Sequence, residues 1–175
     1  LIVTFATTDP HYASFADRFE ARMDELGLAY HIERVSPFPT PRQACLAAPA
    51  WIKRQVRRFG PVTWIDVDTE VLQAPEIDLG EYDVGFAENP ERWRRRCPEN
   101  AIASAVLAFN DTPGARRFLS DWQRLCEQWK PGEYGAHRRL CFVREYAEVR
   151  ELDITPLLRG KIVYRGAKGA VEVAA

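Results

Sequence analysis

The chain carries no G-x-S-x-G, no G-x-x-x-x-G-K-[ST] and no G-x-G-x-x-G. These absences argue, in turn, against an α/β-hydrolase nucleophile, a P-loop phosphotransferase and a dinucleotide-binding turn. Cysteine is scarce and scattered: Cys45, Cys97, Cys126 and Cys141 form no C-x-x-C pair. Neither a zinc ribbon nor a disulfide framework is expected, and a reducing, cytoplasmic setting fits best. His11, His31 and His137 share no ligand spacing, so structural roles are expected for them. His137, which follows a glycine turn, is the one worth testing. No apolar run is long enough to span a bilayer, and no signal-peptide pattern opens the chain. It opens on Leu1 inside a strand-like run, so a few residues are expected to precede it.

Charge of one sign is also missing. A formal net charge of −1 leaves no sequence-blind electrostatic grip on nucleic acid. The densest basic cluster, Arg92-Trp93-Arg94-Arg95-Arg96, reads first as a solvated loop with Trp93 folded inward. Its other reading is a contact with an anionic acceptor, nucleic acid included.

What is present is an ordinary globular composition in 175 residues, 46% hydrophobic and 28% charged, enough for one domain with a sizeable core. Residues 1–6 read as a buried strand. Asp9 and Pro10 cap a helix whose Tyr12, Phe15, Phe19, Met23 and Leu26 keep helical spacing until Gly27. Residues 29–35 alternate as a strand, and residues 36–42, with three prolines, read as an irregular loop. Pro49 is expected to start the next helix, with Trp51, Ile52, Val56 and Phe59 inward. Strands are expected at 82–87, 103–109, 148–152 and 161–164, and helices after Asn110-Asp111-Thr112-Pro113 and at 137–146. Alternating strands and helices predict a layered α/β fold with a mostly parallel central sheet flanked by helices, in a single domain spanning 1–175.

The segment 60–75, GPVTWIDVDTEVLQAP, carries the chemistry. A buried strand there delivers Asp66 and Asp68 to its carboxyl edge, the edge at which open α/β sheets bind ligands. Ten aspartates would produce some D-x-D by chance about one time in two, so the tripeptide gains meaning only from the strand before it. Two carboxylates at such an edge suit a hard divalent cation.

Several segments, in order, then resemble the small GT-A-type glycosyltransferases, whose Rossmann-like sheet binds a nucleotide-diphosphate sugar. They are IVTFATTD, PAWIKRQV, WIDVDTEVLQAP, YDVGFAENP, SAVLAFNDTPGARRFLSDW and KIVYRGAKG, nearly the whole chain. The resemblance implies a glycosyltransferase moving a sugar from such a donor, a UDP-sugar first among them, to an unknown acceptor hydroxyl. It implies Mn2+ or Mg2+ at the aspartates, with Asp68 as principal ligand and Asp66 toward the ribose, the sugar and the metal. Phe5, Ala6, Thr7 and Thr8 would cradle the nucleoside, and Tyr12 would stack on the base or pack as helix core. Residues 104–110 would correspond to the family's strand beside the donor and acceptor sugars, with Asn110 hydrogen-bonding a sugar hydroxyl or serving as a helix N-cap or turn residue. Glu88, at a strand end, is the candidate base for an inverting reaction, or a plain loop carboxylate. With so short a chain, the acceptor would be held by loops 88–100 and 131–139 or by a partner chain.

The sequence departs from that pattern in three places. Ala48-Pro49 stands where many relatives have Lys-Pro, leaving Lys53 or Arg54 to approach the phosphates. His137-Arg138 stands in place of Asp-Gln, and Tyr164-Arg165 in place of a late metal histidine, with Arg165 or Lys168 as substitute cations for the diphosphate. These departures keep a catalytically degenerate nucleotide-sugar-binding or interaction domain open as the alternative. Phosphatases that place D-x-D after their first strand continue with Gly-Thr, whereas Thr69-Glu70 follows here, in mid-chain.

Overall fold

The computed structural model of the chain describes residues 1–89, 101–133, 135–166 and 169–172, with backbone alone for 164–166 and 169–172. The Arg92-Trp93-Arg94-Arg95-Arg96 cluster, Cys97 and Lys168 therefore lie outside the described residues, as do the side chains of Tyr164 and Arg165.

The first strand, β1 (Ile2–Thr7), is apolar on both faces because it is covered on both. Asp9 then caps α1 (Pro10–Glu25), accepting the Tyr12 N–H at 3.2 Å, and Pro10 fills the first helical turn where no N–H is needed. Ala16, Phe19 and Met23 pack that helix onto the sheet. Gly27, at φ 65°, closes it: the Leu28 N–H reaches the Met23 carbonyl at 3.0 Å and the Gly27 N–H the Asp24 carbonyl at 3.1 Å. That pair of bonds needs a left-handed residue between helix and strand, the conformation glycine adopts without a Cβ clash. β2 (Tyr30–Val35) returns parallel to β1.

The next helix corrects the sequence reading. α2 spans Pro41–Phe59, so the expected loop supplies its first turn and Pro49 lies inside it. The reason is local: Thr40 caps the helix by accepting the Gln43 N–H, and Pro41 occupies the first position. Pro49 interrupts one i→i−4 bond, a loss of up to about 3 kcal/mol in an exposed helix. Here it is offset by burial of Ala48, Pro49, Trp51, Ile52, Gln55 and Val56 on one face.

Beyond α2 come β3 (Val62–Ile65), β4 (Thr69–Val71), β5 (Val84–Glu88) and β6 (Ile102–Phe109), then α3 (Pro113–Glu127) and α4 (Ala136–Tyr146). β7 (Glu151–Asp153), the short α5 (Thr155–Leu158), β8 (Ile162–Gly166) and β9 (Gly169–Glu172) end the described chain. The main sheet runs in the order β2-β1-β3-β6-β5-β7, and a small sheet runs β4-β8-β9. Within the main sheet, β2, β1, β3, β5 and β7 point one way and β6 alone runs antiparallel, pairing Val62 with Phe109 and Ile65 with Val106. The fold is thus the expected α/β layer with a mostly parallel sheet, and the reversal of β6 decides which of its ends meets the aspartates.

Two cores result. On one face α2, α3 and α4 bury Trp51, Phe86, Phe109, Phe118, Trp122 and Leu140 against the sheet. On the other, α1 and α5 cover Ile2, Ala6, Ile65, Val106 and Ile162. Cys126 and Cys141 are buried free thiols, as small core residues should be. Among the described residues no helix is long and apolar enough to cross a membrane.

Candidate functional site

The β3 strand ends at Ile65, and the chain turns back at once. The Asp66 N–H bonds the Ala105 carbonyl of β6 at 2.9 Å, and the Thr69 N–H bonds the Asp66 carbonyl at 2.9 Å. This i→i+3 turn sets Asp66 and Asp68 at the carboxyl edge of the sheet, with Val67 between them tucked into the core. Both aspartates line a cleft of about 220 Å³ that opens between β1, α1, α2, β6 and α4.

The electrostatics of that cleft are those of crowded negative charge. Burial first, and then the neighbouring Asp68, push Asp66 up to about 7, although the Trp64 indole N–H, 2.9 Å from Asp66 Oδ1, pulls the other way. Tyr12 is raised by burial, then by Asp68. The Cys45 thiol, on the α2 side of the cleft, is raised by burial, then by Asp66 and Asp68. No lysine or arginine is among the described residues of the cleft wall.

Of the sequence candidates, Phe5, Ala6, Thr7 and Tyr12 join Asp66 and Asp68 in this wall. Phe5 is fixed by an edge contact with Trp51 and a tilted contact with Trp64, each at 5.5 Å between ring centroids. The Thr7 hydroxyl is spent on the Asp9 carboxylate, which it helps hold below the ordinary range. Thr8 lies outside the wall: it is exposed, and its N–H continues the sheet to the Val35 carbonyl at 2.9 Å.

Three candidates stand outside the cleft wall. Lys53 Nζ donates to Gln123 Oε1 at 3.1 Å, tying α2 to α3 away from the cleft, so it does not replace the missing Lys-Pro lysine. Asn110 sits at the opposite edge of the sheet, because β6 runs backward. Its amide donates to the Gly80 and Tyr82 carbonyls at 3.0 and 3.1 Å, and its Oδ1 accepts from the Asp111 N–H. The role it serves is the turn alternative. Glu88 does end β5 on the Asp66 edge, but it stands beyond β6 and outside the cleft wall, its N–H held by the Thr155 hydroxyl at 2.9 Å. The Arg165 side chain lies outside the described residues.

One contact within the wall and two parts of it were not read from the sequence. Ser104, at the near end of the reversed β6, faces His137 of α4, with Nδ1 2.8 Å from Oγ. Cys45 and Ala44 come from the part of α2 before Pro49, to which the sequence reading had given no element. Trp64 supplies the N–H that orients Asp66. The D-x-D spacing relative to Trp64 was the only local signal for the last of these, since i and i+2 lie on one face of a strand.

The sheet order, the small second sheet and the aspartate turn can be compared with solved structures. A glycosyltransferase involved in glycosylation of the major capsid of PBCV-1 matches with a TM-score of 0.61, at 17% identity over 88% of this chain and 82% of that one. This chain has a glycosyltransferase fold. The galactosyltransferase LgtC, in complex with donor and acceptor sugar analogues, matches with a TM-score of 0.53 at 16% identity, over 80% of this chain and 69% of that one. GlyE of Streptococcus pneumoniae TIGR4 matches with a TM-score of 0.53 at 14% identity, over 88% of this chain but 45% of GlyE. No protein-family profile matches the chain, and no curated protein matches its sequence.

Within this glycosyltransferase fold, the residues present can be tested against the divalent cation that the resemblance implies. Asp66 and Asp68 are oxygen donors of the kind Mn2+ and Mg2+ prefer. Asp66 is raised by burial first and by the neighbouring Asp68 second, and a cation on the pair relieves both. No third His, Cys, Asp or Glu joins them in a metal-holding group among the described residues. The pair therefore fits a cation as a two-residue seat whose other positions fall to water and ligand oxygens.

Proposed function

We propose that this protein transfers a sugar from a nucleotide-diphosphate sugar, with UDP-sugars as the first donors to try, to an acceptor hydroxyl. The observation that carries the reading is the Asp66–Asp68 pair at the carboxyl edge of β3, in a cleft whose described wall holds no cation. A diphosphate entering that cleft alone would meet only like charge. With Mn2+ or Mg2+ on Asp66 and Asp68, the same cleft becomes a diphosphate site. Once bound, the cation supplies Lewis-acid stabilisation of the charge that develops on the leaving diphosphate.

The chain's own residues do the rest. Asp68 and Asp66 hold the cation, and the Trp64 indole keeps Asp66 turned toward the cleft. Phe5, Ala6, Thr7 and the Tyr12 ring form the nucleoside side. Glu88 is not carried forward as the acceptor base, because it stands outside the cleft wall. The acceptor, which the sequence leaves unidentified, would be held by loops 88–100 and 131–139 or by a partner chain.

A second reading, donor binding without turnover, is favoured by one observation: Ala48 presents a methyl group to the cleft, at the place where the resemblance implies a lysine near the phosphates in many relatives. Thermal shift with UDP-, GDP- and TDP-sugars, with and without Mn2+, followed by donor hydrolysis, separates the two. A metal-dependent shift with hydrolysis or transfer supports the transferase. The same shift without turnover supports the binding domain, and no metal-dependent shift with any donor contradicts both.

A further inference from the structure

The main sheet has two edges, and they differ. β7, at one, is three residues long, whereas β2, at the other, runs for six. β2 pairs with β1 in an unbroken parallel register from Tyr30 to Val35, and among the described residues no strand lies on its outer side. An exposed strand edge is a row of unpaired N–H and C=O groups, which proteins blunt by shortness, proline, a bulge or a charge thrown across the edge. β7 is blunted by its shortness. β2 has no proline and no bulge. Its Arg34 and Glu33 are turned onto the sheet faces instead of across the edge. Arg34 is held by Asp17 at 2.8 Å and Glu20 at 2.7 Å on α1, and Glu33 by the Trp51 indole N–H at 2.6 Å on α2.

Backbone direction decides what such an edge can accept. The Thr8 N–H bonds the Val35 carbonyl at 2.9 Å, and the Ile2 N–H bonds the Ala29 carbonyl at 3.1 Å. Backbone groups alternate in direction along a strand, so Ala29, His31, Glu33 and Val35 turn theirs toward β1. Tyr30, Ile32 and Arg34 turn theirs outward. An antiparallel neighbour bonds such residues in opposed pairs, each pair exchanging both its N–H···O bonds. A second β2, related by a two-fold axis that passes Ile32 perpendicular to the sheet, engages all three outward residues. Tyr30 then meets Arg34 of the second copy, Ile32 meets Ile32, and Arg34 meets Tyr30. Moving the axis to His31 or Glu33 leaves one outward residue unpaired. The axis at Ile32 also sets His31 opposite Glu33 of the second copy, at the closer positions where side chains meet. An axis at Glu33 would set that carboxylate against its own copy, which is destabilising. Hydrogen-bond direction and side-chain pairing therefore select the same register.

We propose that the outer edge of β2 is a homodimer interface, where two copies join through antiparallel β2 strands about a two-fold axis at Ile32 to make one continuous sheet. The joined strands run in opposite directions, so the two clefts open at opposite ends of that sheet and both stay open. A single strand pair falls below the roughly 1,200 Å² of a standard interface, so the dimer forms in a concentration-dependent way. The inference needs neither nucleotide nor cation and stands apart from the donor reading.

Sedimentation equilibrium of the chain from about 5 to about 500 μM, a range that brackets micromolar affinities, tests it. The average mass should rise from 20.0 kDa toward twice that value. Ile32→Pro removes an outward N–H and leaves the bonds to β1 in place, a substitution that edge strands tolerate. It should keep the single-chain mass throughout, with a circular dichroism spectrum like that of wild type. Backbone hydrogen exchange of wild type gives a check that needs no variant. The amides of Tyr30, Ile32 and Arg34 should exchange at least about tenfold more slowly at the top of the range than at the bottom. Those of His31, Glu33 and Val35 should be protected at both. A single-chain mass at every concentration overturns the proposal. So does a dimer whose outward amides exchange as fast as the monomer's, or one that persists in Ile32→Pro, because either places the contact elsewhere.

Discussion

Trp64 donates its indole N–H to Asp66 Oδ1 at 2.9 Å, so the last turn of one strand holds both the carboxylate and the group that aims it. The indole is itself locked between Phe5 and Trp51, each with ring centroids at 5.5 Å. The position of the aspartate is therefore tied to the aromatic core beneath it.

Replacing Trp64 by Phe keeps an aromatic ring in that core and removes the N–H. A hydrogen bond to a charged group contributes about 1.5–3 kcal/mol. Asp66 should then rise further, and Mn2+ affinity at pH 7 should fall by on the order of tenfold, recovering at pH 8.5 as the carboxyl ionises. Calorimetry at the two pH values checks this; equal losses at both would mean that the variant distorts the site rather than its titration.

Asp66 also carries a stability cost. Its folded value of about 7 lies above the ordinary 3.8. Between those values the folded state binds the extra proton, so this group lowers stability as pH rises from about 4 to 7. Asp66→Asn retains an acceptor for Trp64 and removes the charge. Without metal, it should be more stable than wild type at pH 8, by at least about 1 kcal/mol or about 2–4 °C in Tm, with little difference at pH 4.5. Thermal melts in EDTA at both pH values test the sign.

At the opposite edge, Asp83 shows the reverse behaviour. Burial raises it, but the Thr112 hydroxyl at 2.6 Å, the Arg150 N–H at 2.9 Å and the Arg150 guanidinium outweigh burial and leave it below 3.8. A depressed carboxyl contributes stability that is present above the unfolded value and lost as pH falls through the folded one. Asp83→Asn should cost about 1–3 kcal/mol at pH 7. The deficit should shrink below pH 3.5, as urea titrations at pH 7 and pH 3 would record. Gly114 has the same carboxylate pressed against it: an added Cβ would lie 2.6 Å from Asp83 Oδ2, so Gly114→Ala should destabilise as well.

The sequence disclosed those parts of the site that are local. The β3 run before Asp66, the Asp9-Pro10 cap of α1 and the turn at Gly27 each depend on neighbours within five residues, and each is where the pattern put it. The direction of β6 was not legible, because a strand buried on both faces reads the same forward and backward, and the gap of about a dozen residues after β5 admits either a crossover or a return. That ambiguity put Asn110, rather than the Ser104 end of the same strand, beside the aspartates. The contact between Ser104 and His137 joins residues on different elements, which no local spacing encodes. The start of α2 was missed because three prolines suggested a loop, although Thr40-Pro41 is itself a helix-opening pair.

The account's central claim is that Asp66 and Asp68 hold a divalent cation on which a nucleotide diphosphate binds. The most direct measurement is the thermal shift given by Mn2+ with a UDP-, GDP- or TDP-sugar in wild type and in Asp68→Asn. The account predicts a metal-dependent shift in wild type that is lost in Asp68→Asn while the melt without ligand stays close to wild type. An unchanged metal-dependent shift in that variant would contradict it.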